Sequence, residues 1–498
     1  MRTRWIAVLC PTLCLALAAC GSSAPAEIST PTAAPAAIPS AGTASSTRLL
    51  DWPEFGLNAQ RSDTSEASSA IDTANIGHLR HATVALPGTV DSSPIYLHGV
   101  TVAGAAHNVI LATTTYGRTI AIDANSAHIL WTFTPAGIAR WSASAQITTT
   151  SPIADPDRRY IYSASPDGLI HKLKLSDGHE AGGWPVSVTR EATHEKLAAA
   201  LNIAGGAVIA TTGGYIGDAP PYQGHVVLIS RASGRQLRVF NTLCSNRREL
   251  LVPSSCRASD SAILSRGGPV VEPGAKRLLI ATGNAPWNGT TSFGDSVLEL
   301  TLGDLSLRQS FTPTNQAQLN ASDSDLGSSA PALLGHDRVA IAGKDGILRV
   351  LVLSRLDGHP PSGTHPLGGE VQRLSIPGGA ELFTAPAVWQ HGAHTTAFIA
   401  DEAGTAAYVL RAGRLYRAWE NTTPGTSPVM VGGLLYVYDP AAGGIAVYRP
   451  ASPHPIAKLA GTPGHWNSPI VVDGHIVEPE GNGNDHRTTG SLEIFSTH

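Results

Sequence analysis

The chain has 498 residues, about three ordinary domain lengths, so it holds either several domains or one large repetitive one. Its 34 Lys and Arg are outnumbered by 38 Asp and Glu, giving a formal net charge of −4. With only 14% charged residues there is no basic field to neutralise a phosphate backbone, which argues against nucleic acid as the main partner. A hydrophobic share of 42% is enough to bury a core, and 51 Gly with 35 Pro make the chain turn-rich.

At the N-terminus, Arg2 and Arg4 precede an apolar stretch over residues 5–19, interrupted at Pro11 and Thr12. It reads as a signal peptide rather than a spanning helix. It ends Leu17-Ala18-Ala19-Cys20-Gly21, which resembles a bacterial lipobox and predicts lipidation of Cys20. Residues 20–47, nearly all Ser, Ala, Pro, Thr and Gly after the cysteine, read as a disordered tether. The chain is therefore expected to be exported and lipid-anchored to the bacterial cell membrane or outer membrane, touching the bilayer through that anchor alone. In that compartment the remaining pair, Cys244 and Cys256, predicts a disulfide, with two buried thiols as the alternative.

From residue 48 onward the chain repeats. A small residue plus proline opens a short apolar run at Pro94, Pro152, Pro269, Pro331, Pro386, Pro428 and Pro469. The one double interval, between Pro152 and Pro269, hides a copy that has lost its proline, at Leu201, Asn202, Ile203 and Ala204. In phase with these, a glycine precedes alternating apolar residues at Gly117, Gly168, Gly224, Gly294, Gly346, Gly404, Gly444 and Gly490. Period two is strand geometry with one buried face. Eight units of several short strands predict an all-β fold, an eight-bladed β-propeller of four-stranded blades over residues 48–498. The segment 48–86 is expected to supply a strand that closes the last blade, and residues 195–201 are the only expected helix.

Two stretches carry a family resemblance. Gly117-Arg118-Thr119-Ile120-Ala121-Ile122-Asp123-Ala124, ending at Trp131, resembles the repeat of pyrroloquinoline quinone (PQQ) dehydrogenase propellers. Ala281-Thr282-Gly283-Asn284-Ala285-Pro286-Trp287-Asn288, followed by Gly294-Asp295, is similar to a segment that holds calcium beside the quinone in that family. The resemblance implies Asn284 as a calcium ligand, Asp325 as catalytic base and second calcium ligand, Lys344 as a contact to the quinone, and PQQ and calcium as cofactors. The chain departs from that pattern in three places. It has no adjacent cysteines, Tyr215 follows Gly213-Gly214 where a glutamate ligand is expected, and residues 261–268 contain no tryptophan.

Read from the residues alone, Asn284 fixes a turn, Asp325 caps one, Lys344 sits in a hairpin, and Trp131, Trp287, Trp419 and Trp466 pack between blades. His465, His475, Glu478, Glu480, Asp485 and His486 read as a polar loop. The functional expectation is a monomeric, non-catalytic binding or scaffold propeller, whose partner is a cell-envelope protein or a small-molecule ligand. In general role it would resemble the propeller lipoprotein of outer-membrane barrel assembly. The alternative is a PQQ- and calcium-dependent dehydrogenase acting on an alcohol or sugar.

Overall fold

The computed structural model describes residues 37–38 and 45–497. The expected signal peptide, the expected lipidation site Cys20 and all of the expected tether except residues 37–38 and 45–47 lie outside the described residues. Ser45–Arg48 is a short strand, paired in parallel with Ala67–Ser68.

Eight antiparallel sheets follow in chain order, each a blade of four strands. Blade 1 is Ile95–Val102, Ala105–Thr113, Thr119–Asp123 and Ile129–Phe133, running from the axis outwards. Blades 2 to 7 span residues 153–187, 202–241, 270–311, 332–375, 387–421 and 429–459. Blade 8 takes three strands from residues 470–496 and its outermost strand, Arg80–Leu86, from the other end of the chain. The expected closure is thus made by seven paired positions, from Gly490 with Leu86 to Ser496 with Arg80. It joins first and last blades covalently through the chain and leaves no open ring edge.

The two sequence markers have fixed places in each blade. Every blade proline stands one residue before an innermost strand, and the copy without one enters Asn202–Ala204. Each marker glycine leads into or begins a third strand. At Gly444 the reason is direct: φ is +83°, and a Cβ would lie 2.2 Å from the carbonyl oxygen of Leu459.

Alternation with one buried face holds poorly. All five residues of Thr119–Asp123, Ala207–Thr211 and Leu434–Tyr438 are buried. Each blade is packed between two neighbours, so the inner strands are buried on both faces over most of their length, with exposed residues mainly at their ends, as at Ala105 and Ala106. Outermost strands such as Ile129–Phe133 and Pro455–Leu459 are partly exposed throughout. The cores accordingly lie between blades, as where Tyr436 and Val447 of blade 7 share a cluster with Ile476 and Leu492 of blade 8 and Ile110 of blade 1.

The helix expected over residues 195–201 is absent. Glu195–Lys196 is a strand paired with Gly213–Gly214, and the one α-helix of the described residues is Gln316–Ala321. The backbone from Leu197 to Ala200 is used by its neighbours instead. Leu197 and Ala198 accept bonds from Thr149, and Ala200 donates to Arg266. Small side chains here serve close approach at the axis, which outweighs helix propensity. The C-terminal polar cluster also differs from expectation. His475–Glu480 is the second strand of blade 8, with all six residues buried.

Residues 52–65 do something the sequence did not announce. They cross the end of the central channel and bond to the innermost strands of one blade after another. Trp52 exchanges two 2.8 Å backbone bonds with Tyr96 of blade 1, and Ala154 of blade 2 donates to Pro53. Val271 of blade 4 donates to Ala59, Val388 of blade 6 to Ser62, and Met430 of blade 7 to Asp63. Thr64–Ser65 then adds a fifth, parallel strand to blade 7. Blade 3 is held through Arg61, whose buried guanidinium donates to Leu201 O (2.6 Å), Phe55 O (2.7 Å) and Glu54 Oε2 (2.8 Å). The blade entry that lacks a proline is the one that receives this arginine. Phe55 sits near the axis against Ala200 and Ala385.

Cys244 and Cys256 are joined as a disulfide. Their loop links blade 3 to blade 4.

If the plug closes the channel, Phe55→Ala opens a cavity at the axis and should cost about 3–5 kcal/mol of unfolding free energy. Chemical denaturation of the two proteins measures this. An unchanged midpoint would mean that the segment is not integral to the fold.

Candidate functional site

In each blade the links between second and third strands, and those between one blade and the next, emerge on the same face. Asn284 and Lys344 lie in second-to-third links of blades 4 and 5. Asp325 lies in the link from blade 4 to blade 5. The plug occupies the opposite end, so among the described residues the channel opens on this face.

The structure brings the three residues together. Lys344 Nζ is 2.6 Å from Asp325 Oδ2, and the Asn284 backbone N–H donates to Asp325 Oδ1 at 2.7 Å. Lys344 also donates to Asp323 Oδ1 at 3.3 Å, and its backbone N–H to Asp325 O at 3.0 Å. A Cβ on Gly283 would stand 2.3 Å from Asp325 Oδ1, so glycine is what permits this clasp. Asp325 is 3% exposed. Burial pushes its carboxyl above the usual aspartate value, against the pull of Lys344. Burial works against the charge on Lys344 too, but the carboxylates of Asp325 and Asp323 outweigh it and hold the amine above the ordinary lysine value.

Asn284 therefore takes part through its backbone. Its carbonyl accepts from Ser261 at 2.8 Å, as a turn residue's would. This arrangement does not fit calcium. The ion takes about six to eight oxygen ligands. Here both oxygens of Asp325 already accept hydrogen bonds and its charge is matched by Lys344. No grouping of three His, Cys, Asp or Glu side chains suited to a metal occurs among the described residues.

Above this pair lies an axial pocket of about 170 Å³, lined among others by Asp325, Lys344, Lys196, Arg266, Phe383 and Trp466. Arg266 is committed to Asp91: Nη2 donates to Oδ1 at 2.9 Å and Nη1 to the backbone O at 2.9 Å. His465 Nδ1 lies 2.7 Å from Asp91 Oδ2, which also accepts from Gly483 N. Burial raises the Asp91 carboxyl, but Arg266 and His465 more than offset it and leave the group well below the usual aspartate value. Trp466 stacks on His465 (3.9 Å) and on Phe383 (4.2 Å), with the Arg266 guanidinium 5.3 Å from its ring.

Lys196 is different. It has no ionic or hydrogen-bonding partner for its amine among the described residues. Burial, helped by Arg266, brings it down to about 8.

Sequence reasoning placed Trp131 and Trp419 between blades, and there they are: their indole N–H groups donate to Leu175 O and Pro450 O of the following blades. It misplaced Trp466, which walls the pocket, and it missed Asp91, Arg266, Lys196 and Phe383. A signal was present. The residues three positions before the blade prolines include Asp91, Thr149, Arg266, Phe383, Gly425 and Trp466. Rotational equivalence puts this position at one height around the axis, and five of the six line the pockets there.

No family model and no curated protein matches the chain. Solved structures do. Quinohemoprotein alcohol dehydrogenase from Comamonas testosteroni aligns with a TM-score of 0.66 at 14% identity, covering 90% of this chain and 80% of that one. A europium-containing methanol dehydrogenase gives 0.64 at 13% identity, covering 90% and 98%. BamB from Moraxella catarrhalis gives 0.53 at 13% identity, covering 84% and 99%. At these identities the likeness establishes the fold: the chain shares the eight-bladed propeller of the PQQ dehydrogenases and of BamB.

The sequence holds six lysines. Competitive acetylation read by peptide mass should show Lys196 gaining reactivity as pH rises through about 8, where its amine loses its proton. Surface lysines follow only near pH ~10.4. Titration of Lys196 with the surface set would contradict the pocket geometry.

Proposed function

We propose that this is a non-catalytic binding propeller, lipid-anchored through Cys20 at the bacterial cell envelope. It engages a small molecule or an envelope protein with the face that carries the axial pocket. One observation supports this above the others. The aspartate that a dehydrogenase of this fold would use as its base is closed into an internal pair with Lys344 and clasped by the Asn284 N–H. A base must be within reach of the proton it removes and free to accept it. Asp325 spends its charge on holding the link of blade 4 to the link of blade 5.

A second reading, a PQQ-dependent dehydrogenase, draws support from the fold shared with two dehydrogenases and from the unpaired Lys196, which would suit a carboxylate of the quinone. The commitment of both Asp325 oxygens to Lys344 and to the Asn284 N–H weighs against it.

Titration of the exported protein with PQQ and calcium, followed by absorbance and by dye-linked oxidation of alcohols and sugars, separates the two. The binding-module reading expects no stoichiometric uptake and no turnover. One equivalent of quinone retained with turnover would overturn it.

A further inference from the structure

Beside the axial pocket, on the same face, lies a second cavity of about 260 Å³. Links from blades 5, 6 and 7 enclose it. Phe383 and Trp466 line both cavities, so their stack is a shared wall.

The chemistry on this side of the wall is acidic. Glu381, Asp401 and Glu402 line the cavity, and among the described residues no Lys or Arg does. Its one histidine, His465, is turned to Asp91. Asp401 is 2% exposed. Its Oδ1 accepts the N–H groups of Ala403 (2.9 Å) and Gly404 (2.8 Å), which fixes the turn between two strands of blade 6. Its Oδ2 is buried with no hydrogen-bond partner among the described residues, and so is Oγ1 of Thr384, another lining residue. Burial pushes the Asp401 carboxyl up to about 6, and Glu420 and Glu402 add to this.

A buried carboxylate oxygen without a partner is costly. Lys344, outside the cavity, acts on Glu381 at a distance, but among the described residues no cation lines the cavity itself or reaches Asp401 Oδ2. The aromatic wall adds a flat apolar surface whose π face also attracts cations. The geometry points to this cavity as a binding site for an organic ammonium compound: the amine meets Asp401 Oδ2 and Thr384 Oγ1, and an apolar or ring body lies against Phe383 and Trp466. A neutral polyol would leave the acidic charge uncompensated. A bare metal ion would leave the aromatic wall uncovered, and no metal-type cluster is present among the described residues. None of Asn284, Asp325 and Lys344 lines this cavity. Failure of this inference therefore leaves the reading of the axial site untouched.

The probe is 2-phenylethylamine, compared by calorimetry with 2-phenylethanol as its neutral counterpart. The amine should bind one to one, and the alcohol about tenfold or more weaker, the equivalent of a single charged contact. Asp401→Asn keeps the Oδ1 that fixes the turn and replaces only the unpartnered oxygen. It should weaken the amine by about tenfold at an unchanged melting temperature. Glu402→Gln, on the exposed rim, should weaken it by a smaller factor and decides the matter if Asp401→Asn does not fold. Absence of amine binding, equal binding of amine and alcohol, or wild-type affinity in the folded variants would each overturn the inference.

Discussion

Everything in this molecule depends on how the centre of the ring is filled. Eight blades leave an axial channel whose inner strands would otherwise expose backbone and apolar side chains. Residues 52–65 close it by bonding to blades 1, 2, 3, 4, 6 and 7 within fourteen residues. Arg61 is the anchor. Its guanidinium is buried, and its three acceptors belong to the plug itself and to Leu201, the residue that enters blade 3. A buried arginine is tolerated when its charge is met, and Glu54 meets it at 2.8 Å, while Nε alone of its nitrogens is left without a partner among the described residues. With one end sealed, ligand access is confined to the other face.

That face is organised by radial equivalence. Residues at the same offset before each blade arrive at the same height on the axis, so Asp91, Arg266, Phe383 and Trp466 become neighbours across hundreds of residues of sequence. The Asp91–Arg266–His465 set is a closed structural network: Arg266 and His465 both meet the Asp91 carboxylate, at 2.9 and 2.7 Å. Asp325–Lys344 is a second such pair. What remains unpaired is informative by contrast: Lys196 on one side of the Trp466 wall, and Asp401 with its acidic neighbours on the other.

The repeat was legible because proline and glycine mark fixed places. A proline before each inner strand and a glycine before each third strand are local requirements of the backbone, so they recur with the blade. Closure by the segment before Pro94 was legible for the same reason, since a blade of three strands needs a fourth. The plug was not, because its bonds are made to six different blades and leave no periodicity in residues 52–65. The convergence of Asn284, Asp325 and Lys344 was legible by resemblance, but its internal pairing was not. Only the geometry shows that Lys344 reaches back to Asp325 and that Asn284 serves through its backbone. The supposed helix at residues 195–201 failed because its alanines were chosen for approach at the axis, a tertiary demand that local propensity does not register.

Hydrogen exchange read by mass spectrometry tests the central claim most directly. If residues 52–65 are the plug on which the ring depends, the amides in it that donate a bond, those of Trp52, Leu57, Arg61 and Asp63, exchange only with global unfolding, at the pace of the inner strand Val429–Val431 to which Thr64–Ser65 is paired. Exchange of that segment within seconds, at the pace of the loop around Ile216, which is 74% exposed, would contradict the account.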